Sequence, residues 1–122
     1  MLIRRATDMD GAEMRMDGAD RVQMRLLLGR EDGAPTFAMR HFTVESGGHS
    51  PRHEHNYEHG IFIVAGRGSV EVAGETQEVA AGDSAFIPPN TVHQLRADQG
   101  EELQFLCMVP TTFDCGKPTP GS

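Results

Sequence analysis

The chain has 122 residues, a formal net charge of -7 and 38% hydrophobic residues, which is enough for one sizeable core but not for two independent ones. Its single lysine is Lys117 and its arginines are scattered from Arg4 to Arg96, so it lacks the positive stripe that a nucleic-acid backbone requires. The longest apolar runs, Ile61 to Ala65 and Phe105 to Val109, fall far short of the roughly 20 residues that span a bilayer; with no apolar stretch behind Arg4-Arg5, we expect a soluble cytoplasmic protein and no membrane partner.

In chain order, residues 1–20 are acidic with glycines at Gly11 and Gly18, and are expected to form an arm with one short strand near Leu2 to Arg4. Val22 to Leu28 reads as a strand ended by the turn Gly29 to Gly33. Thr36 to Glu45 is rich in β-formers, and Gly47-Gly48 is expected to end it. A short extended stretch near His53 follows, then strands at Ile61 to Ala65 and Ser69 to Val72. Ala73-Gly74-Glu75 turns the chain into Thr76 to Val79. Ser84 to Ile87, Thr91 to Arg96 and Glu102 to Val109 complete the set, and 111–122 is a Pro-, Gly- and Thr-rich tail. Strands this short and evenly spaced, with no long 3.6-period segment, predict an all-β antiparallel sandwich or jelly roll, with its strands over 21–110 of a single 1–122 domain.

The histidines carry the functional signal. In an extended stretch side chains alternate faces, so His53 and His55 point the same way. His59 lies just beyond a bend, at the approach to the next strand, and His93 arrives from a distant strand after Pro88-Pro89-Asn90. Four imidazoles placed this way can collect one divalent metal ion. His41 and His49 belong to no such spacing and read as ordinary surface or core-edge histidines. A closed structural zinc site is the plainer alternative, but such sites usually recruit closely spaced cysteines. Here only Cys107 and Cys115 are available, and Cys107 lies in an apolar strand where a buried thiol is expected.

The spacing Gly47, five residues, His53, one, His55, three, His59, six, Gly66 resembles the first motif of the cupin superfamily. Gly82, five residues, Pro88, one, Asn90, two, His93 resembles its second motif. His59 stands where the family usually has Glu, Asn90 where it usually has Gly, and Ala97 where it usually has Asn. Asn tolerates left-handed backbone nearly as glycine does. The resemblance implies a cupin-type double-stranded β-helix. With His59 in place of Glu, it implies the small all-histidine subgroup that holds manganese or another first-row metal, with His53, His55, His59 and His93 as ligands. It also implies a homodimer.

Four neutral imidazoles leave the double charge of the ion uncancelled, favouring an acidic bound water and a stabilised bound anion. Manganese or iron is expected first, but imidazole donors equally suit Ni, Zn and Cu. The expected function is a dioxygenase-like oxidoreductase acting on a small oxygenated substrate. A non-redox lyase or isomerase and a non-catalytic small-molecule binding module are the alternatives. Catalytic residues stay unassigned. The candidates are Glu58 as base or as orienter of a ligand, Arg40 and Arg52 as partners of a substrate carboxylate, and Tyr57 as a cover over the site. Each has a plainer reading: a solvated carboxylate, surface charge and, for Tyr57, a cap on the sheet, the reading preferred here.

Overall fold

The computed structural model describes residues 1–15 and 17–113. Its strands are β1 (Ala12–Glu13), β2 (Asp20–Leu28), β3 (Phe37–His49), β4 (His59–Ala65), β5 (Arg67–Val72), β6 (Glu75–Ala80), β7 (Ser84–Ile87), β8 (His93–Ala97) and β9 (Leu103–Pro110). Antiparallel pairing in the order β6-β5-β8-β3-β9-β4-β7 curls them into one sheet, with β2 alongside β3 and β1 alongside β2. No helix among the described residues is long and apolar enough to cross a membrane. This is the all-β architecture that the strand spacing predicted.

Period-two alternation decides which side chains fill the interior. Along β9, Leu103, Phe105, Cys107 and Val109 are buried and their neighbours are not. The same rule turns His59, Ile61 and Ile63 of β4 inward, and likewise His93, Leu95 and Ala97 of β8. Phe42 of β3 stacks on Phe105 of β9 at 5.0 Å between ring centroids, a packed aromatic pair in the middle of the core. The inward faces of β4 and β8 therefore begin with histidine and continue with apolar residues. Thus one end of the core is polar.

Two expectations are corrected. Gly47-Gly48 does not end the third strand: β3 pairs with β9 from Phe37 to Val44, and its last residue, His49, pairs with Arg96 of β8. The glycines form the bend between these pairings. Gly47 has φ +73°, and a Cβ on Gly48 would lie 2.5 Å from the Asp20 carbonyl oxygen, so no larger residue fits without a backbone shift. The strand of the N-terminal arm is Ala12–Glu13 and not Leu2 to Arg4. Arg4 instead donates to both carboxylate oxygens of Asp32, at 2.9 and 2.7 Å, and to the Leu27 carbonyl at 2.7 Å. That ionic pair, together with Arg25 Nε donating to the Met9 carbonyl at 2.9 Å, ties the arm along β2. After β9, Thr111–Phe113 make a single 3₁₀ turn; the remainder of the expected tail lies outside the described residues.

Candidate metal centre

His59 and His93 are the first residues of β4 and β8, with exposures of 0% and 1%. His53 and His55 come from the strandless stretch between β3 and β4 and are half-buried. What brings His53 across is a single antiparallel bridge to His93: His53 N–H donates to the His93 carbonyl at 3.1 Å, and His93 N–H returns the bond at 2.9 Å. His55 is anchored by its carbonyl, which accepts from the Asn90 N–H at 2.6 Å. Asn90 takes φ 58°, the left-handed conformation for which its side chain is suited, at the position where a glycine was the alternative.

The four rings form one cluster. Centroid separations are 4.2 Å for His53–His55, 5.0 Å for His53–His93, 5.1 Å for His55–His59, 5.5 Å for His55–His93 and 4.9 Å for His59–His93. His53, His55 and His93 each offer a nitrogen within 4.8 Å of the others. Ligands on opposite sides of an ion with bonds of about 2.0–2.2 Å lie only slightly closer together than that. His59 is outside this tightest trio although its ring is equally near. Its Nε2 is buried and has no hydrogen-bond partner, an atom that a bound cation would satisfy.

Hydrogen bonds behind the rings set which nitrogen faces the cluster. His93 Nδ1 lies 3.0 Å from the Thr91 carbonyl oxygen, which can only accept, so Nδ1 is the donor there and Nε2 is the nitrogen that could serve as a ligand. His59 Nδ1 lies 3.2 Å from Cys107 Sγ. Burial first, and then the neighbouring His93, Arg40, His55 and His53 charges, hold the His59 imidazole at about 2, far below its ordinary value. It is therefore neutral and ready to act as a ligand at any working pH. Burial pushes the Cys107 thiol up, against the opposing influence of Arg40, and the sulfur is inaccessible, as the strand pattern led us to expect.

The other candidates separate clearly. Arg40, read as a substrate partner or surface charge, is 1% exposed and points into the barrel, where Nη2 donates to Cys107 Sγ at 3.3 Å and the guanidinium lies 5.4 Å from the Phe42 ring centre. Tyr57, expected to cap the sheet, stacks on His55 at 4.8 Å with a 3° interplanar angle and lies 5.2 Å from His59, so it covers the cluster. Arg52 is exposed and engages Glu71 through Nε and Nη2 at 2.7 to 3.0 Å, a surface pair rather than a partner of the cluster. Glu58 is exposed. His41 and His49 stand apart: His41 meets Gln104 Oε1 at 3.2 Å and is held below its ordinary pKa chiefly by burial, and His49 Nδ1 meets the Ser50 carbonyl at 3.1 Å. The contact that sequence reasoning missed is Cys107 with His59. Its signal lay in the inward parity of Cys107 and in a register placing it opposite both Arg40 and Ile61.

A curled antiparallel barrel with imidazoles gathered at one end of its interior defines a class of small β-barrel proteins whose core is polar at one end. A family model described as a cupin domain matches residues 40–109, and the chain belongs to that family. It is 43% identical over 79 residues to a 1-methylthio-D-xylulose 5-phosphate methylsulfurylase of Rhodospirillum rubrum; the match covers 65% of this chain and about half, 51%, of that relative. Among solved structures, it superposes on the polyketide cyclase RemF of Streptomyces resistomycificus with a TM-score of 0.85 at 31% identity, covering 91% of this chain and 80% of that one. A cupin-2 domain from Rhodospirillum rubrum gives a TM-score of 0.81 at 32% identity, covering 99% and 80%.

Proposed function

We propose that this chain is a metal-dependent enzyme acting on a small oxygenated molecule, with one divalent first-row ion held by His53, His55, His59 and His93. The observation that supports the reading is the clustering of four imidazole rings, three of which bring ligand nitrogens within 4.8 Å of one another, with the His59 Nε2 buried and lacking any hydrogen-bond partner. A divalent ion in an all-imidazole set supplies Lewis-acid polarisation of a bound oxygen, with its charge undiminished by any carboxylate ligand. The chain's own residues do the rest. Thr91 and Cys107 orient the two buried rings, and Tyr57 shields the flank of His55. Access is from the half-buried His53 and His55 side, because His59 and His93 are sealed beneath.

Two reaction types fit such a centre. The relatives' names, a methylsulfurylase and a polyketide cyclase, do not describe oxygenation and favour the non-redox version. Dioxygenase-like oxidoreduction draws its support from the neutral ligand set, which favours the lower oxidation state of manganese or iron. Elemental analysis of untagged protein, followed by oxygen-uptake and product assays with Mn(II)- or Fe(II)-loaded protein on hydroxy acids, diketones and phosphorylated ketoses, tests both. Product without oxygen consumption is expected. Stoichiometric uptake would select the dioxygenase, and no product with any metal would leave a binding module.

The partner reading is a second copy of the chain. Phe62 and Val64 of β4 and Phe86 of β7 point outward on adjacent strands, with Phe37 at the start of β3, at exposures of 41 to 65%. Apolar side chains grouped on one sheet face suit a self-complementary interface. Light scattering should give twice the chain mass, and Phe62→Asp combined with Phe86→Asp should return it to one.

A further inference from the structure

We propose that Cys107 is a positioning residue for His59: held in place by Arg40, its sulfur accepts a hydrogen bond from Nδ1–H and so leaves Nε2 bare as the ligand nitrogen beside the other imidazoles. The inference rests on the four-histidine reading above. Three buried groups on three neighbouring strands meet here. Cys107 of β9 lies directly across from Arg40 of β3 on one side and from Ile61 of β4 on the other, and His59 is two residues before Ile61 on the same inward face. The sulfur is 3.3 Å from Arg40 Nη2 and 3.2 Å from His59 Nδ1.

A neutral imidazole carries one proton on one of two nitrogens, and its surroundings choose which. On Nδ1 the proton meets the sulfur. On Nε2 it would be a buried donor with no acceptor within hydrogen-bond reach. Arg40 can only donate, so its Nη2 engages one sulfur lone pair and holds the sulfur in place beside His59, 3.2 Å from Nδ1. The Thr91 carbonyl plays the equivalent part for His93 with an oxygen that can only accept. The two buried ligands are thus oriented by unlike partners, and only the cysteine one can be altered by changing a side chain.

The test reads the tautomer first. Imidazole ¹⁵N shifts of metal-free protein should show His59 with Nδ1 protonated and Nε2 bare, and Cys107→Ala should turn this into a mixture or into the Nε2–H form. Titration with Zn(II) and Mn(II) should show affinity falling about 10- to 100-fold in Cys107→Ala, the range for loss of a ligand's outer hydrogen-bond partner. Cys107→Ser, whose hydroxyl still accepts, should recover most of that loss. An Nε2–H form in the parent protein, or an unchanged tautomer and affinity in Cys107→Ala, overturns the proposal. If Cys107→Ala does not fold, the parent tautomer and the serine variant decide. If instead His59→Ala binds metal as tightly as the parent, the four-histidine reading fails, and the tautomer measurement still tests the cysteine contact separately.

Discussion

His59 and His93 each open a β-strand, are sealed from solvent and have their rings set from behind by a sulfur and a backbone carbonyl. His53 and His55 sit on a strandless stretch, half-buried, and are held through their backbones by one bridge and one bond from Asn90. The first pair is positioned by the same packing that makes the barrel; the second is positioned by a loop laid over it. In the proposed centre the buried pair would define where an ion sits and the half-buried pair would let it be reached, so barrel core and loop would divide binding from access between them.

The largest effect that would break this contrast is on metal affinity. His93→Ala removes a preset buried ligand that nearby water cannot easily replace, and should weaken Mn(II) or Zn(II) binding on the order of 1,000-fold. His53→Ala opens a position that solvent reaches, and on the order of 10- to 100-fold is expected. Equal losses by calorimetry would show that the two pairs do not differ.

A smaller effect concerns acid. His59 is held at about 2 against an ordinary 6.5, so below pH 6.5 the unfolded chain takes up a proton there that the folded protein refuses. Stability conferred by that neutral ring is therefore intact above 6.5 and falls as pH drops toward 2, with a limiting slope of about 1.4 kcal/mol per pH unit from this one group. Urea unfolding of metal-free protein between pH 7 and 4 should show it, and His59→Asn should flatten the slope. A slope unchanged by that substitution would place the acid sensitivity in other groups, such as His41, whose pKa burial also lowers.

Much of the fold was legible because alternation is strict where one face is buried. The expected Ser84 to Ile87 strand matches β7, and the last two strands lie within two residues of their expected ends. Gly47-Gly48 misled because glycine pairs usually terminate strands, and only the close approach of Asp20 shows that these two bend one. At the site, the histidine spacing was readable from the chain alone. The cover by Tyr57 and the support from Cys107 depend on how the loop folds back and on strand register, which no local pattern encodes. Glu58 was decidable earlier: in an extended chain the residue beside an inward His59 faces outward, where the structure exposes it.

The place of His59 and His93 at the first position of their strands separates two kinds of substitution. Each heads a column of inward side chains, Ile61 and Ile63 below one, Leu95 and Ala97 below the other. The rungs beneath are apolar core, whereas the top rung carries the proposed ligands. Exchanging the side chains of the top rung would therefore retune the proposed centre while leaving the apolar scaffold beneath it in place.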